Sequence, residues 1–517
     1  MKNNILAVIF LTLLMSSCYK DIGSYDYDET EVISIDGVQG SYTGIAMVDS
    51  LNIVPEVAST DPDAEFDYFW AMYLDGGTGV TVELDTLSHT KDLHLLISQS
   101  EPSWKLIFSA TNKNTGLSKL VSCDLHIETA YTRGWYVLKD NGTNSDIDMY
   151  LTPDTIVPAS VSPNVYSTIN GQPLNGKAKM LNYFISYKTF IDIDASGRAK
   201  NTKVLIALTE NDIAFNHINT MEKVRGFDDF AYEAPAVKNM GYIGFSYYGQ
   251  MYYAINDGKL HKIAVMYPNS GVFSSPVARD EHYTDYHLSD FALTSTKFRL
   301  FYDETSGSFV THGGGIATTM SKIKTATASE MPAVNTNKEL LYMGLMDNTQ
   351  RNTPAVAIMR DKSDNSMSLF RIKPLSFRLE MTISNLSTID NTQKLHKASL
   401  ITTSQDEAVL YFAVGNELWS RNLSSGLEQL QFAAPDGEEI TMIRHRKYSG
   451  SKEPNYAYNY VIVGTSSTSG NYKVHFFQKR AGNLESAPDF TQEGSGTVKD
   501  ILFISPNISE STYMQGY

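Results

Sequence analysis

From about residue 130 onward the chain repeats one cassette, and this repetition narrows the possible folds more than any other feature. Each copy is a hydrophobic run rich in β-branched and aromatic residues, a short polar turn, and a second such run. Copies read at Gly134–Asp140 with Asp146–Tyr150, Lys203–Thr209 with Asp212–Ile218, and Gln250–Ile255 with Lys259–Ala264. Further copies read at Lys297–Tyr302 with Phe309–Val310, Leu340–Leu345 with Met367–Ile372, Ala408–Val414 with Glu417–Arg421, and Tyr460–Val463 with Tyr472–Phe477. Irregular repeats of roughly 40 to 50 residues, lengthened by insertions, describe a β-propeller whose blades are four-stranded sheets. The cassette then supplies the two middle strands of each blade, and seven copies predict seven blades. Val498–Ile504 is placed to close the ring against the first blade. Two further β-sandwiches are the alternative parse of residues 130–517.

Residues 30–129 carry a different pattern. Strands read at Val32–Ile35, Leu51–Val54, Phe66–Tyr73, Leu93–Ile97 and Trp104–Ala110, followed by the strand that holds Cys123. About seven strands in roughly 100 residues, with Trp70 in a central one, is the arithmetic of an immunoglobulin-like sandwich. Trp70 is expected to plug its core. Cys123 shares a strand face with Val121, Leu125 and Ile127, which predicts a buried small hydrophobe in place of a nucleophile. The 31 Tyr and 23 Phe residues suit strands, and nothing after residue 18 reads as a long amphipathic helix or a span. The chain is therefore expected to be all-β.

The first residues set the expected location. Lys2, the apolar run Ile5–Leu14 and Met15-Ser16-Ser17-Cys18 have the shape of a bacterial lipoprotein signal. The apolar run is too short for a span of roughly 20 residues. Cleavage before Cys18 leaves a thiol that takes a diacylglycerol and an amino group that takes a third acyl chain, a firm anchor. The expected organisation is a signal peptide over 1–17, a lipidated tether over 18–29, the sandwich over 30–129 and the propeller over 130–517. A formal net charge of −16 disfavours nucleic acid and anionic lipid as partners. With Cys18 lipidated, the second cysteine has no disulfide partner.

Candidate chemistry is sparse. His312-Gly-Gly-Gly315 has the spelling of a lipase oxyanion loop but lacks a Gly-x-Ser-x-Gly elbow, so it reads as a loop crossing between blades. Asp280, Glu281, His282, Asp285, His287 and Asp290 cluster without metal-ligand spacing and read as a solvated acidic loop. Asp146 and Asp148 point the same way on one strand, unlike a glycosidase pair. Arg444-His-Arg-Lys447 reads as a solvated turn, with partner docking as its minor option. No motif calls for a metal or a cofactor. The excess of tyrosine singles out the turn residues Tyr247, Tyr248, Tyr456 and Tyr458 as candidate platforms for a sugar face or a peptide side chain.

Ser17-Cys-Tyr-Lys-Asp-Ile-Gly-Ser-Tyr-Asp-Tyr27, the tract Tyr68-Phe-Trp70 and the segment Trp104–Glu128 together resemble the PKD-like family lipoproteins of Bacteroidetes. Lys20-Asp21, with Asp26, Asp28 and Glu29, is similar to the acidic export signal of surface lipoproteins in that phylum. The resemblance covers about the first 130 residues. It implies an outer-membrane, outward-facing accessory subunit of a nutrient uptake system of the starch-utilisation type. Its implied partners are an outer-membrane barrel transporter and its lid lipoprotein, with a peptide or a glycan as ligand. A non-catalytic binding or scaffold role is the first expectation. A surface hydrolase or lyase using the propeller, and a purely structural subunit, are the alternatives.

Overall fold

A computed structural model describes residues 30–513 apart from 47, 76–83, 100–102, 152–159, 194–198, 247–250, 266–270, 281–284, 295–297, 314–316, 347–353 and 376–378. The leader, Cys18 and the tether lie outside the described residues. The chain forms two compact units, Met1–Ile127 and Glu128–Tyr517. No described helix is long and apolar enough to cross a membrane.

In the first unit, five strands pair in the order Ser41–Ile45, Ser118–Glu128, Ser103–Asn112, Phe66–Leu74 and Asp85–Ser88. Two strand pairs accompany them, Ile33–Asp36 with Glu56–Ser59 and Ser50–Ile53 with Leu93–Leu96. The three strands not read from sequence, 41–45, 56–59 and 85–88, have only four or five residues each. Ser103–Asn112 alternates half-buried and buried positions along its whole length, as a strand with one face on a core does. Trp70 fills that core: it has no exposed surface, lies 4.5 Å from the Phe108 ring, and donates Nε1–H to the Lys91 carbonyl at 3.0 Å. Cys123 is buried beside Leu125 and Ile127, and burial pushes its thiol up to about 11, so it is not ionised near neutrality.

The second unit holds seven sheets of three or more strands, plus one two-stranded hairpin, among the described residues. The sheets begin with Ala178–Ile193, Met240–Ser246, Leu293–Thr294, Lys338–Leu345, Leu400–Thr403 and Glu438–Tyr448, and in the remaining one Thr497–Ile504 takes that place. These seven strands touch one another in sequence. The cycle closes because Thr497–Ile504 meets Ala178–Ile193 on one side and Glu438–Tyr448 on the other. This is the propeller arrangement, with those strands innermost. Thr497–Ile504 pairs antiparallel with Gly134–Asp140, placing Phe503 opposite Trp135, so the end of the chain completes the sheet that residues 134–151 begin.

Six of the seven cassettes are the second and third strands of a sheet, as expected. The exception is Leu340–Leu345 with Met367–Ile372, which are the first and third strands of their sheet and flank Ala355–Asp361. Two inner strands carry the same device. Tyr242 reaches the Thr294 hydroxyl (2.7 Å) and Tyr342 the Thr403 hydroxyl (3.3 Å), each on the next inner strand. A glycine two residues on, Gly244 or Gly344, leaves room for the phenol where a Cβ would collide with it.

Candidate ligand-binding site

Five of the seven inner strands contain a β-bulge near their start. The register slips between Ala178 and Met180, Met240 and Tyr242, Leu340 and Tyr342, and Ile440 and Met442. It slips again where Leu138 faces Asp500 and Lys139 faces Val498. The extra residues are therefore Lys179, Gly241, Leu341, Thr441 and Lys499. A bulge re-aims the inserted side chain away from the pleat. Lys179, Leu341, Thr441 and Lys499 all line one cavity of about 510 Å³ where the inner strands begin. At the fifth position glycine leaves room for a neighbouring side chain. A Cβ on Gly241 would collide with the carboxylate of Asp290, which also lines the cavity.

The walls are largely apolar, with Phe291, Leu395, Leu400 and Ile401 among the lining side chains. The charged lining is mostly cationic: Lys179, Arg360, Arg444 and Lys499 against the single carboxylate of Asp290. Lys179 donates to the Met240 carbonyl at 2.6 Å and lies 3.3 Å from Asp290. Arg360 is paired with Glu339 at 3.2 Å. Arg444 lies 2.8 Å from the fully buried Asp500, a carboxylate that also takes Arg446 at 3.1 Å and the Leu181 amide at 2.7 Å. Lys499, half-buried between buried Val498 and Asp500, has no side-chain partner among the described residues. Ser399, His396 and Asp290 line the same cavity, but no hydrogen bond links them; the Ser399 hydroxyl donates to the Ala413 carbonyl at 3.4 Å.

Of the residues singled out from sequence, Arg444 and Asp290 line this cavity, and the other described ones fall elsewhere. Arg444-His-Arg-Lys447 is not a solvated turn: it lies in the inner strand Glu438–Tyr448, and its first three residues are buried. The Gln405 amide donates to His445 Nδ1 (3.0 Å), and Nε2 faces the Asn459 side-chain oxygen (2.9 Å); burial lowers the ring to about 4. His312 is not in a crossing loop; it ends the strand Ser308–His312, buried between the Tyr253 hydroxyl and the Ala317 carbonyl (both 2.9 Å), and is likewise lowered to about 4 by burial. Tyr458 is not an exposed platform. It opens a strand, is buried against Trp135 and Phe503, and its hydroxyl lies 3.3 Å from that of Tyr513. Tyr456 is half-buried beneath the Arg133 guanidinium at 4.2 Å. Tyr247 and Tyr248 lie outside the described residues, as do Glu281 and His282.

Asp146 and Asp148 are both engaged in the fold. Asp148 accepts from Lys139 (2.8 Å), the Asn164 amide (2.7 Å) and Tyr472 (2.6 Å), while Asp146 accepts from the Ile147 and Ser167 amides (2.8 and 3.2 Å). The bulged residues escaped sequence reading because a bulge is a property of pairing between strands. Four of the five, Lys179, Gly241, Thr441 and Lys499, are polar or small residues next to apolar ones, and Leu341 leaves no such trace.

Residues 18–178 match the model of the PKD-like family. Among solved structures, the chain is similar to a quinonprotein alcohol dehydrogenase-like protein from Bacteroides thetaiotaomicron, with 13% identity, 90% of this chain and 97% of that one covered, and a TM-score of 0.39. It is also similar to a DUF4784 family protein from Bacteroides caccae (8% identity, 78% and 96% covered, TM-score 0.33) and to the WD40 domain of SCAP from fission yeast (9% identity, 65% and 85% covered, TM-score 0.31). No curated protein matches.

Proposed function

We propose that this chain is an outward-facing surface lipoprotein, anchored through Cys18, whose seven-bladed propeller binds a ligand without catalysis as an accessory subunit of an outer-membrane nutrient uptake system. The observation that carries the binding role is the cavity at the start of the inner strands, into which four bulges on separate strands turn their side chains. Placement of several groups around a preformed, mostly apolar recess is the general form of a small-ligand site. The ligand class is a peptide or a glycan, and the partners are a barrel transporter and its lid lipoprotein. The leader and the resemblance of the first 130 residues support the location and the partners.

Experiments on binding and on anchoring test this reading. Titration of the purified protein with peptide and glycan libraries is expected to give saturable binding without product; steady turnover would place the protein among hydrolases or lyases instead. Cys18→Ala is expected to release the protein from the membrane fraction, and protease added to intact cells is expected to cut the wild type without lysis. Persistent anchoring of the variant would overturn the lipoprotein reading. Co-purification with the barrel but no affinity for any ligand would leave a structural subunit.

A further inference from the structure

We infer that the inner-strand cavity recognises a carboxylate carried on an apolar body, with the Lys499 ammonium as the group that receives it. The inference rests on the binding role proposed above and adds the chemical class of the ligand. Its first support is the placement of Lys499. Val498 and Asp500 on either side are fully buried, whereas Lys499, the residue the pairing register skips, lines the cavity. Its side chain is half-buried and its ammonium has no partner among the described residues, so it is free to meet an ionised ligand group with a charge-assisted hydrogen bond.

The second support is that the other charges are already committed. Lys179 is bound to the Met240 carbonyl and beside Asp290, Arg360 is beside Glu339, and Arg444 is held by Asp500. Asp290 is the only carboxylate in the lining among the described residues, and it faces Lys179. An acidic chain of net charge −16 thus turns a cationic wall towards this recess. The third support is the remainder of the surface. Beside the polar Tyr342, His396, Ser399 and Thr441, the lining side chains Phe291, Leu341, Met367, Leu395, Leu400 and Ile401 offer apolar contact, which suits a hydrocarbon or a hydrophobic side chain. A hydrophobic peptide ending in a free carboxyl group and a medium-chain fatty acid share this chemistry.

Calorimetric titration of the full-length protein in detergent tests the inference with four probes: acetyl-Leu-Leu-Phe, its C-terminal amide, decanoate and trigalacturonate. The free-acid peptide is expected to bind about tenfold or more tightly than the amide, as a charge-assisted contact requires. Raising the salt from 50 to 500 mM is expected to erode that preference. Lys499→Met is expected to bring acid and amide to the same affinity, whereas Lys499→Arg keeps the preference; an unchanged Tm in both variants separates lost recognition from lost folding. Tighter binding of decanoate than of the peptide assigns the site to fatty acids, and the reverse assigns it to peptide termini. Equal affinity for acid and amide, or a preference that survives Lys499→Met, overturns the carboxylate inference while leaving a binding site. Binding of trigalacturonate alone overturns the apolar body. Failure of all four probes at millimolar concentration overturns this inference, and the binding role falls only if the libraries also fail.

Discussion

The sandwich and the propeller use strands in opposite ways. Ser103–Asn112 in the first unit alternates between buried and half-buried residues, so its polar side chains other than the buried Asn112 have water within reach. Met251–Asn256 and Arg299–Asp303 in the second unit are buried at every position. A blade lies between two other blades, and both of its faces are interior. Polar residues on those strands therefore cannot solve their solvation by facing outward, and they solve it by pairing: Arg279 with Asp303, Lys139 with Asp148, and Arg444 and Arg446 with Asp500. Stability in the sandwich rests on filling space, and in the propeller it also rests on every buried charge keeping its partner.

The largest effect that can break this contrast is expected at Asp500. Removing it leaves two buried guanidinium groups without their shared carboxylate, and breaking a buried pair costs about 3–5 kcal/mol. Asp500→Ala is expected to lower the propeller's denaturation midpoint by at least that equivalent, read by chemical unfolding. A loss under about 1 kcal/mol would mean that these charges are solvated after all. In the sandwich the matching test is apolar. Leu106→Ala deletes a fully buried side chain from the Trp70 core and is expected to cost about 3 kcal/mol, with no partner charge exposed. Faster proteolysis within residues 30–127, relative to the propeller, is the readout.

Acidification sharpens the comparison further, because the lowered histidines lie in the propeller. His312 and His445 are held near 4 by burial, against about 6.5 in an unfolded chain. Between those values the unfolded state takes up protons that the native state refuses. Their contribution is therefore present above about pH 6.5 and is lost as the pH falls towards 4, on the order of 3 kcal/mol for each. Glu304 acts in the other direction. Burial pushes it up to about 7, so the native state takes its proton first and gains relative stability as the pH falls from 7 towards 4.5. The two histidines outweigh it, and net loss is expected between pH 6.5 and 4. His445→Gln is expected to shallow that slope; an unaltered slope would remove His445 from the account.

Sequence periodicity made most of the fold legible. The closing strand 498–504 and six cassettes are local patterns of apolar runs and turns, and each formed where the pattern placed it. The exception at Leu340–Leu345 has a local cause: Ala355–Asp361 begins Ala-Val-Ala-Ile-Met, but the seven residues before it are rich in Asn and Thr and carry no strand pattern. Arg444-His-Arg-Lys447 was misread because charge density signals solvent in a sandwich, whereas in a blade it signals a buried network whose carboxylate is supplied from residue 500. The cavity was not legible, since its side chains come from positions 179, 341, 441 and 499, and only the pairing register brings them together.

The smallest expected effect concerns Tyr456, which the contrast predicts to be nearly dispensable. Its ring lies beneath Arg133, 4.2 Å from the guanidinium carbon, and Arg133 also has Glu453 at 3.3 Å and Glu128 at 3.5 Å. This arginine keeps its carboxylates when the ring is removed, unlike Arg444 and Arg446 when Asp500 is removed. Tyr456→Ala therefore forfeits a cation–π contact and some packing against Phe503, together about 1 kcal/mol. Tyr456 is not among the residues lining the inner-strand cavity, so affinity for the free-acid peptide is expected to stay within about twofold of wild type. Paired denaturation and titration of the one variant check both statements. A several-kcal/mol loss would show that charges at this position depend on the ring as those of the inner strands depend on Asp500, and a large loss of affinity at unchanged stability would move the recognition surface from the cavity to the tyrosine turn.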